Sequence, residues 1–379
     1  MSMNPFPVRD AKGGGVLGSR LSAGNLATIA AVLVLLVVLG VSLFGSPDDG
    51  EPKTVLKIDR AGPNGTGAQT TAPVAMGELL TAANGVVIAD PTLMERSSEG
   101  PLPAIGGDGR KPMDVYARPF DRNDPRPKIA IIVGGLGLGE AVTQAAVDRL
   151  PQGVTLAFTP YGTSLQGLVS TARANGHEVL LELPMEPFDF PDNDPGPNTL
   201  LTGPLGAENP MRLRWLMSRV MGYAGLVNSQ GAKFLASEPE VKFVLSEASR
   251  RGLFVVDNGQ TEQSIARETA SSAGAPFARA DVQIDRNPIR EAIEKEFTAL
   301  ENLAKQRGSA IGIAAAYPVT IDRVSAWAAT LEQKGIALAP VSALIDVQPA
   351  VAPAPAVSAP PENALPTDPK PAFETPAHP

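Results

Sequence analysis

Between residues 128 and 345, eight short runs rich in β-branched residues alternate with amphipathic stretches. The runs are KIAIIVGG from Lys128, VTLAFTP from Val154, EVLLELP from Glu178, AGLVNSQ from Ala224, LFVVDN from Leu253, ARADVQID from Ala278, AIGIAAAY from Ala310 and IALAPVSAL from Ile336. Parallel strands need long crossover connections and are buried on both faces, so this alternation points to a parallel sheet with crossover helices. Residues 287–306 are read as one such helix, with Asn287 at the cap, Pro288 in the first turn and Ile293, Phe297 and Leu300 on one face. The expected fold class is α/β, a distorted (β/α) barrel over residues 128–345.

The flanks have a different composition. Residues 26–44 read LATIAAVLVLLVVLGVSLF, an uncharged run that would rise about 28 Å as a helix, close to the hydrocarbon thickness of a bilayer. Arg9, Lys12 and Arg20 precede it against Asp10, whereas Asp48, Asp49 and Glu51 follow it. The positive-inside rule therefore expects residues 1–25 in the cytoplasm and the remainder outside. A cleaved signal peptide fits less well, since the run exceeds an ordinary apolar signal core and no small-x-small site precedes Pro47. Residues 45–92, rich in Gly, Pro, Asp and Thr, are expected to be a flexible linker. Residues 93–127 carry Leu102, Ile105, Met113, Val115, Tyr116 and Phe120 and are expected to pack on the domain as an arm. The tail 346–379 is Pro/Ala-rich and is expected to be disordered or polyproline-like.

Composition removes several function classes. The formal net charge is −8 and no Lys/Arg cluster is present, which argues against nucleic acid as a partner. There is no cysteine, hence no disulfide and no thiolate metal site. The two histidines are His177, in a turn just before a strand, and His378 in the tail.

Barrel chemistry resides in the loops at the C-terminal ends of the strands. The run GGLGLGE from Gly134 lacks the G-x-G-x-x-G spacing, and the next strand ends in Phe158, Thr159 and Pro160 with no acid for a ribose. It is read as a tight strand-to-helix turn. A serine triad would pair Ser229 or Ser164 with His177, which belongs to the opposite end of the barrel. The carboxylates Glu182, Glu186, Asp189, Asp257 and Asp285 fall at the upper rim, and two of them at a suitable separation could act as acid and base on a glycosidic bond. Each also has a structural reading: Glu186 receiving backbone N–H bonds in the Pro-rich loop LPMEPFDFP, Asp257 capping the turn after its strand.

In order and spacing, the phrases IAIIVGGLGLGE, HEVLLELPMEPFDFP, GLVNSQGAKF, RGLFVVDN and AIGIAAAYPVTI resemble those of the divergent polysaccharide deacetylases of Gram-negative bacteria. The resemblance covers residues 128–345, and LPMEP is its most specific phrase. It implies a distorted (β/α) barrel in which an aspartate pair and histidines hold a divalent metal that activates water for N-deacetylation. The expected aspartate pair corresponds to Gly134 and Gly135 here, and the expected histidines to Ser229 and Ala315. Glycine and alanine offer no side-chain donor and a neutral hydroxyl is a weak one, so neither a metal nor another cofactor is expected.

The polar and aromatic lining that remains, Glu182, Glu186, Asn228, Asp257 and Tyr317, is expected to hydrogen-bond a sugar. The expected function is a single-pass inner-membrane protein with a periplasmic barrel. It would bind envelope polysaccharide, peptidoglycan or a cell-wall enzyme, without metal-dependent deacetylation. The alternative is an active polysaccharide hydrolase or deacetylase working through Glu182, Glu186 and Asp257. A third possibility is a structural spacer whose Pro-rich tail recruits a partner.

Overall fold

The structure, a computed structural model, describes residues 79–83 and 85–345. The apolar run 26–44 and the tail 346–379 lie outside the described residues. Among the described residues no helix is long and apolar enough to cross a membrane.

Two small antiparallel pairs open the described chain: β1 (Leu80–Thr81) with β2 (Val87–Ala89), and β3 (Met94–Arg96) with β4 (Pro101–Pro103). Regular structure therefore begins inside the stretch 45–92 that composition assigns to a flexible linker. The cause is a set of long-range polar contacts that composition cannot reveal. Arg173, almost fully buried, donates from Nη2 to Val87 O at 2.9 Å, and Asp90 caps the turn Pro91–Leu93 by accepting from Thr92 N at 2.9 Å. In the stretch 93–127, Leu102, Met113 and Tyr116 are buried, whereas Ile105 is exposed.

The main sheet is built from β5 (Lys128–Leu136), β6 (Thr155–Phe158), β7 (Val179–Met185), β8 (Gly225–Gln230), β9 (Phe254–Asp257), β10 (Phe277–Arg279), β11 (Val282–Gln283), β12 (Ser309–Ala315) and β13 (Ala337–Leu338). Its order is β10-β9-β8-β7-β6-β5-β12-β11, every pairing parallel, with β13 added beside the start of β5. The two ends of this order are neighbours in sequence. Ala280 N donates to Asp257 O and Asp281 N to Ile311 O, each at 2.8 Å, so one stretch of chain pairs with β9 by its first half and β12 by its second. The result is a curled parallel sheet with helices on its outside, consistent with a distorted (β/α) barrel. The run from Ala278, expected as one strand, is broken at Ala280 and Asp281 because the two halves serve different neighbours.

Two further expectations shift. The helix expected over 287–306 spans Arg290–Arg307 with Ile289 at its cap, because Ile289 N donates to Asn287 O in a turn ahead of it. It stops at Gly308, φ +86°, the left-handed conformation a glycine adopts most readily. The run from Ile336 yields only β13 before a 3₁₀ turn, Val341–Leu344.

Strand alternation sorts the core into two layers. Ile129, Ile131, Val133, Leu181, Leu183 and Leu226 pack outward against the helices, while Ala130, Ile132, Leu180, Val227, Val256, Ile311 and Ile313 fill the interior with Met113 and Tyr116 of the arm. By the same alternation Gly134, Glu182, Ser229 and Ala315 continue the interior columns at the C-terminal ends of their strands.

Candidate functional site

These columns end in an open cleft of about 600 Å³. Gly134, Gly135, Ser229 and Ala315 line it together, as do Glu182, Asn228 and Tyr317. The sheet thus brings to one place the four positions that sequence singles out for a metal and three of the five polar residues expected there.

Glu186 and Asp257 are not part of this lining. Val256 faces the interior, so Asp257 faces the helix layer; it is 1% exposed, with Oδ1 accepting from Gly259 N at 2.8 Å and Oδ2 lying 3.5 Å from Arg279 Nε. Glu186 lies beyond the end of β7, 2% exposed, where it accepts from Thr202 N at 2.6 Å, Thr202 Oγ1 at 2.7 Å and Lys233 Nζ at 2.7 Å. Burial pushes its pKa upward, but the hydrogen bonds from Lys233 and Thr202 outweigh that and hold it below the ordinary glutamate value. Glu186 is thus fully engaged, and Asp257 is held by Gly259 N and faces the Arg279 guanidinium, its Oδ2 accepting no hydrogen bond. Asp189 is exposed on the loop beyond β7 and also stands outside the cleft lining.

Glu182 is the group at the cleft floor. Its carboxyl is surrounded by barrel wall yet opens onto the cleft, and Oε1 accepts from Gly135 N at 2.7 Å. Gly135 has φ +76°, which turns this N–H toward the carboxyl at no steric cost. Burial raises the Glu182 pKa to about 7, and the Gly135 hydrogen bond opposes the rise only in part. Asp285 also lines the cleft; Oδ2 accepts from Ala315 N and Thr320 Oγ1, each at 2.9 Å, while burial raises its pKa.

The rest of the lining is rich in amides. Asn258 donates from its backbone N to Asn228 Oδ1 at 2.7 Å and from Nδ2 to Asn228 O at 3.0 Å, and Gln283 Nε2 donates to Asn258 O. Gln230 sits at φ +56°, a conformation uncommon for a non-glycine residue and frequent at functional sites. Its Oε1 is buried at the cleft without a hydrogen-bond partner. Sequence reasoning picks out Asn228 but not Gln230, Asn258, Gln260, Gln283 or Arg286, which also line the cleft. Their position at strand ends is the signal available for them, since single amides form no motif.

His177 lies at the other end of the barrel, buried, with Nδ1 3.0 Å from Val154 O and Nε2 3.2 Å from Val147 O. Both ring nitrogens are occupied by carbonyls, so it cannot serve as base to Ser229 or Ser164. His378 lies outside the described residues.

A family model described as divergent polysaccharide deacetylase matches residues 131–345, more than half of the chain. The chain belongs to the divergent polysaccharide deacetylase family. Among its relatives, the uncharacterized protein YibQ of Escherichia coli (strain K12) is 25% identical over 243 residues, 64% of this chain and 73% of that protein. An uncharacterized Haemophilus influenzae protein is 23% identical over 194 residues, 51% of this chain and 68% of its own. The crystal structure of uncharacterized protein ATU2773 from Agrobacterium tumefaciens C58 is similar at TM-score 0.63 and 39% identity, over 65% of this chain and 99% of that one.

The family resemblance implies a metal, and the residues present do not fit one. Gly134, Gly135 and Ala315 bring no donor atom, and Ser229 brings a neutral hydroxyl. Among the described residues no three His, Cys, Asp or Glu side chains gather in a way that could hold a metal ion. The space beside Gly134 is also taken, since a Cβ there would lie 2.5 Å from Glu182 Oε1.

Proposed function

We propose that this protein is a membrane-anchored envelope protein whose barrel binds envelope polysaccharide in the cleft above Glu182, without metal-dependent deacetylation. The observation that carries the reading is the floor of that cleft: the Glu182 carboxyl stands against Gly134, and Asp285 and a set of amides line the walls around it. An open groove with hydrogen-bonding side chains on several sides suits a sugar chain, whose hydroxyls both donate and accept. The anchor rests on the apolar run 26–44 and its charge asymmetry.

The alternative of an active hydrolase working through Glu182, Glu186 and Asp257 loses support, because two of the three carboxylates are engaged elsewhere. The full-length protein, incubated with peptidoglycan fragments and chitooligosaccharides with and without zinc, is expected to release no acetate and to cut no chain while binding glycan in calorimetry. Chelator-sensitive acetate release would overturn the reading. Membrane fractionation with protease accessibility tests the anchor; a wholly soluble full-length chain would refute it.

A further inference from the structure

The cleft floor carries a carboxyl without a cationic partner. Glu182 accepts one hydrogen bond, from Gly135 N, and among the described residues no lysine or arginine forms an ion pair with it. Arg286 lines the same cleft without pairing to it. A carboxyl in such a place satisfies itself either with a proton or with a cation brought by the ligand. A second unpartnered group points the same way: Gln230 Oε1, buried beside the cleft without a hydrogen bond, is also an acceptor. Both therefore call for donors. An N-acetylated sugar would offer one neutral N–H donor beside a carbonyl acceptor and a methyl group, whereas a free amine is a cationic ammonium with three donors.

We propose that the cleft recognises an N-unsubstituted amino sugar, its ammonium group seated on the Glu182 carboxylate. The inference rests on the reading of the cleft as a glycan site and names the sugar chemistry it selects. Below neutrality Glu182 carries a proton, the charged amine displaces it, and that proton leaves to solvent. The neighbouring hydroxyls of the sugar are left to the amides of Asn228, Asn258 and Gln283.

The test is calorimetry on the full-length protein at about pH 6, in two buffers of different protonation enthalpy, with glucosamine oligomers and their fully N-acetylated counterparts of matched length. The wild type should bind the free-amine oligomer at least about tenfold more tightly, as expected for one charge-assisted hydrogen bond, and release protons on binding. Glu182→Gln keeps an acceptor for Gly135 N but should lose both the preference and the proton release. Equal or tighter binding of the N-acetylated oligomer, or a preference that survives Glu182→Gln, overturns the proposal. Binding of neutral glycan strands with no amine preference defeats this inference and leaves the glycan reading standing. No binding of any glycan tested defeats both.

Discussion

Glu182 and Gly134 are complementary across the barrel mouth: Oε1 of Glu182 fills the space into which a Cβ on Gly134 would project, at 2.5 Å. Real Cβ atoms do not approach an oxygen that closely, so a side chain on β5 at this position would require the Glu182 carboxyl, the far end of a flexible side chain, to move aside. Replacing Gly134 by the acid that the family resemblance places there is therefore not a simple restoration of a ligand.

Gly134→Asp should destabilise the protein by about 1 kcal/mol, because the Glu182 carboxyl must move aside and give up its hydrogen bond from Gly135 N, with like-charge repulsion adding to it when both acids ionise. Combining it with Glu182→Ala opens the space. The double variant should be more stable than Gly134→Asp alone, a coupling of opposite sign to the single costs. Denaturant midpoints of the four proteins in the cycle measure this, and simple additivity of the two substitutions would contradict the complementarity.

The second prediction concerns pH. The Glu182 carboxyl has a folded-state pKa of about 7 against an ordinary glutamate value of 4.5, raised by burial. In that window the folded state binds more protons than the unfolded one, so stability falls as pH rises from about 4.5 through 7. Full ionisation costs on the order of 3 kcal/mol by linkage, an upper figure because the carboxyl opens onto solvent in the cleft. Glu182→Gln keeps the acceptor for Gly135 N and removes the titration. The variant should match the wild type near pH 4 and exceed it increasingly toward pH 8, which Tm measured across the range tests. A stability difference that does not change with pH would show that Glu182 ionises normally.

What was legible in the sequence divides along physical lines. Gly134, Ser229, Glu182 and Ala315 could be placed because each follows a recognisable apolar run and the strand order brings their ends together. Asp257 could not be placed. The run LFVVDN is apolar at successive positions, as a parallel strand buried on both faces must be, so it carries no alternation to show that Val256 faces the interior and Asp257 does not. The order of residues 80–92 was equally hidden, because it depends on the Val87 carbonyl held by Arg173 from a helix 86 positions later. The amides Gln230, Asn258 and Gln283 acquire meaning only once three different strands meet.

Glu186 provides the third prediction, as a structural carboxylate outside the cleft. Its folded-state pKa lies below the ordinary value, burial opposing and the Lys233 and Thr202 hydrogen bonds prevailing. The stability it contributes is therefore present above about pH 4.5 and is lost as pH falls through its folded value. Glu186→Ala strips partners from Thr202 N, Thr202 Oγ1 and Lys233 Nζ and should cost about 2–3 kcal/mol near neutrality. Calorimetry at a temperature where the variant is folded should show glycan affinity within about twofold of wild type, a few tenths of a kcal/mol. A loss of affinity as large as that of Glu182→Gln would instead return Glu186 to the binding site.

The last prediction tests how the arm is held. Arg173 donates to Val87 O at 2.9 Å, Tyr116 O at 2.6 Å and His177 O at 3.0 Å, so one buried guanidinium ties β2, the arm and the base of β7 together. Burial lowers its pKa to about 10, which leaves it cationic at neutral pH, and three carbonyl oxygens supply the solvation that water would otherwise give. Arg173→Met preserves much of the apolar stem but abandons all three carbonyls, two of them to a buried apolar environment. The cost should be about 3 kcal/mol or more, larger than expected for one exposed ion pair. The loss should also be local before it is global: hydrogen exchange should accelerate first at amides of 87–116, while amides of β5 to β9 keep their protection until global unfolding. Uniform acceleration across the sheet and the arm would mean that the arm and barrel unfold as one unit, and that Arg173 does not act as a separable clasp.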